Sequence, residues 1–192
     1  MNPGERRLCD DHEILGLIAS MARKLADARR PGVRLCLVGV RTRGVPLAQR
    51  LAQELGRLLG QEIDVGAVDI TLYRDDLGRT QRWPVLRGTE IAFSVDGVDI
   101  VLVDDVLFTG RTIRAALNAI CDLGRPACVR LAVLVDRGHR EIPIQPDVVG
   151  LGVATELVDH VTVRLRPADP IDEVVTTATA HRDPGGQRRA HT

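Results

Sequence analysis

Residues 99–112 read DIVLVDDVLFTGRT, and the reading of this stretch decides the fold. Asp99 to Val103 is short, apolar and β-branched, which predicts a buried strand. The strand runs into two adjacent acids, Asp104 and Asp105, and the turn Thr109-Gly110-Arg111-Thr112 then opens a helix expected over 111–123. A helix start carries N–H groups without intrahelical partners and the positive end of the dipole, so it binds phosphate. Thr109 and Thr112 add hydroxyls, and Gly110 lets an anion approach the backbone closely. The spacing G-x-x-x-x-G-K-[ST] is absent, so this is not a Walker loop. Acids facing a phosphate would repel it, whereas two vicinal ribose hydroxyls can donate hydrogen bonds to Asp104 and Asp105. A ribose 5-phosphate satisfies both halves of the segment, and the acids can also help hold a Mg²⁺ shell through water.

Outward from this segment, strands alternate with helices. Ile14, Leu17, Ile18, Met21, Ala22 and Leu25 fall at helical spacing, with Asp10 or Asp11 as N-cap and Pro31-Gly32 as the stop. Arg34 to Val40 is a β-leaning apolar run, and Gly44 opens a second helix through Leu58. Strands are expected over 64–72, 129–135, 148–153 and 161–165. Residues 73–98 lack helical periodicity and read in their middle as a long polar loop, a length that is usually functional or disordered. The tail 181–192 has no apolar face and is expected to be disordered, which leaves one domain over 1–180. This pattern gives an open α/β sheet, in which ligands bind at the carboxyl ends of strands near a switch in strand order. The loops to watch are therefore 41–44, 104–110 and 136–139.

Composition narrows the class. The chain has 192 residues, 44% apolar and 27% charged, which suits a globular protein with one substantial core. Lys+Arg and Asp+Glu are equal at 26, removing the basic excess that would by itself argue for nucleic-acid binding. Cys9, Cys36, Cys121 and Cys128 form no C-x-x-C pair, and Cys36 and Cys128 lie in apolar runs where a thiol packs as a small hydrophobe. The polar start, Met1 to Asp11, does not read as a signal peptide, and no apolar run is long enough to span a bilayer. These features predict a reduced, soluble, cytoplasmic protein with no membrane partner.

VLVDDVLFTGRT (101–112) is similar to the phosphoribosyl-pyrophosphate loop of the type I phosphoribosyltransferases. Three further segments follow the same pattern: VGVRTRG (38–44), DITLYRDDL (69–77) and LAVLVDRGHREIPI (131–144). Taken together the four resemble the PyrR family, pyrimidine operon attenuators that are also uracil phosphoribosyltransferases, over about residues 10–170. The resemblance implies a mostly parallel sheet flanked by helices, with a small hood and a flexible loop. It implies transfer from phosphoribosyl pyrophosphate to uracil, giving UMP, with Mg²⁺ as cofactor and a homodimer or homotetramer as the assembly.

It also distributes roles. Asp104 and Asp105 are the central carboxylates, and Val106, Leu107, Phe108, Thr109, Gly110, Arg111 and Thr112 line the sugar-phosphate site. Arg41 to Gly44 is the diphosphate loop, with Thr42 and Arg43 as ligands and a non-proline cis peptide expected within it. Arg74 and Arg82, on the long loop, are the arginines expected to meet the leaving diphosphate. In purine-type relatives the residue before Thr-Gly is an acid that handles a ring nitrogen; Phe108 cannot take that proton, which turns the reading towards pyrimidines. Arg137 is the candidate for nucleotide contact, Val161 offers backbone groups to the uracil edge, and His139 and Arg140 are candidates to face RNA. Two readings stay open: an enzyme, or a UMP-sensing regulator that binds the leader of pyrimidine mRNA with little catalysis. Tyr73, Trp83, Phe93 and Phe108 are too few for an RNA-stacking platform, so phosphate contacts would fall to residues such as Arg23, Lys24, Arg29, Arg30 and Arg140.

Overall fold

The computed structural model describes residues 5–70 and 89–177. Asp10 starts the first helix: its carboxylate accepts the Glu13 amide, and the Glu13 carboxylate accepts the Asp10 amide, each at 2.9 Å. This capping box joins strand β1 (Glu5–Cys9) to helix α1 (Asp11–Asp27). The helix ends at Asp27 with Ala28 as its cap, before the Pro31-Gly32 stop expected from sequence. Strand β2 (Leu35–Val40) is buried on both faces, and helix α2 (Gly44–Leu59) begins at Gly44 as anticipated. Strand β3 (Asp64–Val68) stops at Val68; the expected extension to Leu72 runs into the undescribed segment.

Strand β4 (Asp99–Leu107) is longer than its apolar run suggested, because it continues through the acid pair instead of ending at Val103. Its partner supplies the reason: β5 (Cys128–Asp136) stays paired with it from Asp99↔Cys128 to Leu107↔Asp136, and a backbone ladder tolerates acids that a hydrophobic pattern does not predict. Helix α3 (Arg111–Cys121) lies between these two strands in the chain. Strands β6 (Val148–Gly152) and β7 (His160–Arg164) match expectation to within a residue. Sequence analysis assigned neither β1 nor β8 (Glu173–Thr177).

The main sheet has the order β3-β2-β4-β5-β6, with every pairing parallel. A second sheet, β1-β8-β7, is antiparallel and forms the hood. Alternate side chains of the main sheet feed two apolar layers. Leu35, Leu37, Val101 and Val103 pack with α1 and α2 through residues such as Ile14, Met21, Leu47 and Leu51. Cys36, Val38, Ile100 and Leu102 pack with α3 through Ile113, Ala116 and Ile120. The alternation reverses across the acids: Val106 joins the first layer and Leu107 the second. All four cysteines are free; Cys36 is fully buried, as expected, while Cys128 is only half-buried. Among the described residues no helix is long and apolar enough to cross a membrane.

At the opposite end of β4 from the acids, Asp99 is 1% exposed and accepts hydrogen bonds from Arg30 and, at 3.4 Å, from Arg130. The Arg30 guanidinium holds the Asp99 carboxyl below its ordinary value, against the upward pull of burial. A carboxyl lowered by folding contributes stability above its unfolded value and loses it as pH falls through the folded one. Asp99→Asn is therefore expected to be less stable than wild type at pH 7, with the deficit closing only below about pH 4. Urea titrations at a series of pH values check this; a deficit that persists unchanged in acid would exclude the ion pair as its source.

Candidate active site

Chain order and strand order part company once in the main sheet. From β2 the chain moves outward to β3, then returns to place β4 on the other side of β2. The carboxyl ends of β2 and β4 flank this switch point, where an open α/β sheet leaves a crevice. The last β2–β4 pair is Gly39↔Val103, so β4 overhangs its neighbour from Asp104 onward. The acid pair thus lies on a strand edge facing the loop that follows β2.

Asp104 is 5% exposed, and the Asp105 amide donates to its Oδ1 at 3.0 Å. Burial, then the neighbouring negative charge of Asp105, raise the Asp104 carboxyl well above the usual carboxylate range. Burial also raises Asp105, opposed by a side-chain hydrogen bond with Asp104 and by the charge of Arg43. Burial thus favours the protonated form more strongly at Asp104 than at Asp105. A buried acid pair of this kind is suited to receive either donor hydroxyls or a metal-bearing ligand. Among the described residues no group of three or more His, Cys, Asp or Glu is placed to hold a metal. Two hard carboxylates fit Mg²⁺ only when a ligand supplies further oxygens.

After β4, Gly110 takes a left-handed conformation (φ 91°) and caps α3 with no side-chain hydrogen bond. Thr109 Oγ1 accepts the Arg111 amide at 3.3 Å, while the Gly110 cap itself offers no side chain to the amides that follow, beside Thr112. Arg111 points to Glu141 (2.6 Å). The turn is held from the far side: Glu141 N donates to the Thr109 carbonyl at 3.0 Å, and Arg140 Nη1 to the Phe108 carbonyl at 3.0 Å.

The loop after β2 contains the expected cis peptide, at Arg41-Thr42. Arg43 is the N-cap of α2 and makes no side-chain cap. Its guanidinium forms a two-pronged pair with Asp169 of the β7–β8 loop, both contacts at 2.9 Å. The guanidinium fork expected to grip a diphosphate is thus paired with a carboxylate, beside the backbone N–H groups at the start of α2. Nothing in the sequence around Asp169 marks it. Arg41 pairs with Glu90 at 2.8 Å.

After β5, Arg137 is buried, donates to Thr155 Oγ1 and the Glu156 carbonyl, and stacks with its guanidinium carbon 4.0 Å from the Phe108 ring centre. Phe108 and Arg137 are thus one unit, as a cation over a ring face. Burial lowers the Arg137 guanidinium from its ordinary value. His139 Nε2 lies 2.6 Å from the Thr155 carbonyl, and Arg140 is engaged by Asp136, Phe108, Gly138 and Ile144. These contacts bind the adjoining loops together. Two of the other candidate cations are also engaged: Arg30 by Asp99 and Lys24 by the Val149 carbonyl at 3.4 Å. Val161 is half-buried on β7, the edge strand of the hood, and pairs with Thr176 on one side. Arg74, Arg82 and the rest of the long loop lie outside the described residues, as does the tail 181–192.

Comparison with known proteins agrees with this arrangement. Residues 6–165 match the family model described as a phosphoribosyl transferase domain. The chain is 52% identical over 172 residues to the Bifunctional protein PyrR of Chloroflexus aurantiacus, covering 89% of this chain and 94% of that one. It is 49% identical over 174 residues to the Bifunctional protein PyrR of Pelotomaculum thermopropionicum, covering 91% and 96%. A solved hypoxanthine phosphoribosyltransferase from Staphylococcus aureus superposes with a TM-score of 0.68 at 16% identity, over 90% of this chain and 92% of that one. At that identity the likeness shows the fold alone.

Proposed function

The chain belongs to the phosphoribosyl transferase domain family and, within it, to the PyrR proteins, and on that premise we propose that it transfers the 5-phosphoribosyl group of phosphoribosyl pyrophosphate to uracil, giving UMP and pyrophosphate. The observation that carries this reading is the apposition, at one switch point, of an overhanging acid pair and an α3 start whose cap is the bare Gly110 backbone. The 5-phosphate sits on the Thr109–Thr112 turn, and the ribose diol donates to Asp104 and Asp105. The diphosphate lies against the backbone N–H groups of Thr42, Arg43 and Gly44.

As the C1′–O bond breaks, positive charge grows on the ribose and negative charge on the diphosphate. Ionised Asp104 and Asp105 stabilise the former, and the α2 start stabilises the latter. Asp104 and Asp105, together with substrate oxygens, would hold Mg²⁺, which when bound would neutralise charge on the diphosphate. Uracil closes on C1′ against the Phe108–Arg137 unit, with backbone groups near Val161 at its edge. Phe108 offers no acid for a purine nitrogen. Arg74 and Arg82 belong to the same proposal as partners of the leaving group.

The regulatory half of the proposal places UMP in this same pocket as the signal for binding pyrimidine-gene mRNA. Arg23 and Arg29 are exposed on and beside α1, and with Arg140 they belong to this half of the proposal as phosphate contacts.

Two measurements test these points. In a phosphoribosyl-pyrophosphate-dependent assay, kcat/KM for uracil is expected to exceed that for orotate, hypoxanthine and guanine by about 100-fold or more. A purine turned over as well as uracil would overturn the base assignment. For the regulatory half, UMP is expected to tighten binding to a pyrimidine-operon leader RNA at fixed salt, and equal affinity with and without UMP would remove it.

A further inference from the structure

The diphosphate loop is short, and two contacts outside it determine where it lies. On one side Gly44 packs directly on the β4 backbone: a Cβ there would come 2.5 Å from the Val103 carbonyl oxygen. On the other, Arg43 is clasped by Asp169, whose own position is fixed. Asp169 Oδ2 accepts the Leu165 amide at 2.9 Å, and its amide returns a hydrogen bond to the Leu165 carbonyl at 2.9 Å. The carboxylate is only 13% exposed in its side chain, and the Arg43 guanidinium, together with that amide, holds it below its ordinary value. Asp169 is therefore a rigid acceptor, built into the hood, that ends on the residue capping α2.

Resting on the reading above, we propose that Asp169 is a positioning residue for the diphosphate site: through Arg43 it sets the placement of the Thr42–Gly44 amides. The hood and the diphosphate loop then move as one unit, so the hood that flanks the base also determines how the leaving group is held. A built-in comparison lies on the same loop. Asp172 pairs with Arg50 of α2 at 2.9 Å and accepts the Arg166 amide at 2.7 Å. Arg50 lies seven residues, about 10 Å, further along the helix from Arg43, too far to place the loop. A purely structural role predicts the same consequence for both aspartates; the positioning role does not.

Binding of inorganic pyrophosphate in the presence of Mg²⁺, followed by calorimetry on the full chain, distinguishes these. Asp169→Asn is expected to weaken it about tenfold or more, Asp169→Glu to restore most of the loss, and Asp172→Asn to change it by less than about twofold. The KM for phosphoribosyl pyrophosphate should rise with the pyrophosphate Kd while the KM for uracil stays within about threefold. Unaltered pyrophosphate binding in Asp169→Asn, or equal weakening in Asp169→Asn and Asp172→Asn, would overturn the inference. If the wild type itself bound neither pyrophosphate nor phosphoribosyl pyrophosphate, the functional reading would fall and this inference with it.

Discussion

Replacing Asp104 and Asp105 together by asparagine is expected to lower kcat/KM for UMP synthesis by about a thousandfold or more, while making the protein more stable. Both effects have one source. Asparagine keeps the size of the side chain and can still accept a hydrogen bond, so the diol has a partner. It cannot supply the negative charge that opposes positive charge growing on the ribose. The same charge is a burden on folding: Asp104 is nearly inaccessible to water and stands beside the negative charge of Asp105. Its carboxyl is raised in the folded chain, so protonated Asp104 favours folding and that contribution is lost as pH rises through the folded value. The single variant Asp104→Asn is therefore expected to gain on the order of 1–2 kcal/mol at alkaline pH, and the gain should vanish below about pH 4, where the wild-type acid is protonated in both states. Thermal melts of wild type and variant between acid and alkaline pH give this difference directly. Near-normal turnover of the double variant would remove the mechanism. A stability gain independent of pH would show that the buried charge is not its cause.

Gly44→Ala is expected to cost about 3 kcal/mol or more and to raise the KM for phosphoribosyl pyrophosphate far more than that for uracil. The added methyl would meet the Val103 oxygen at 2.5 Å and the Asp104 Cα at 3.3 Å, both backbone atoms of the central strand. Gly39 faces the same junction from β2: a Cβ there would meet Val45 Cα at 2.5 Å and the Gly44 oxygen at 2.6 Å. Three backbones meet here with no side chain between them, and no flexible side-chain end is among the atoms met. Relief requires the start of α2 to move away from β4, and the diphosphate loop moves with it. Gly16→Ala is the matched control. Gly16 lies within α1 with open space around its Cβ position, so alanine there should add roughly 0.5–1 kcal/mol by helix propensity and leave both KM values unchanged. Urea unfolding and steady-state kinetics on the two variants test the contrast. A Gly44→Ala protein with wild-type stability and affinity would show that the close approach is dispensable.

The phosphate turn and the acid pair were legible because their chemistry is local. An acid pair at the end of an apolar run, followed by Thr-Gly-Arg-Thr, needs only adjacent residues to be read, and α3 starts at Arg111 as the turn implies. The helix start at Gly44 and the buried run before Val40 were legible for the same reason. The hood was harder to read. The β1 sequence ERRLC has three charged residues in five, and only pairing with β8 makes it a strand. Strand β4 was read short because its last four residues gain their regularity from β5, not from their own pattern.

Sequence alone therefore determined the alternation of strands and helices, the family, and the segment proposed to hold a ribose phosphate, since each depends on periodicity or on neighbours within a few residues. Tertiary structure decided what the arginines do. Arg43 meets Asp169 across 126 positions of chain, Arg140 turns back onto the Phe108 carbonyl, and Arg137 lies over the Phe108 ring. A guanidinium on a long side chain takes whichever acceptors the fold brings within reach, and that apposition of distant segments is written in no local pattern.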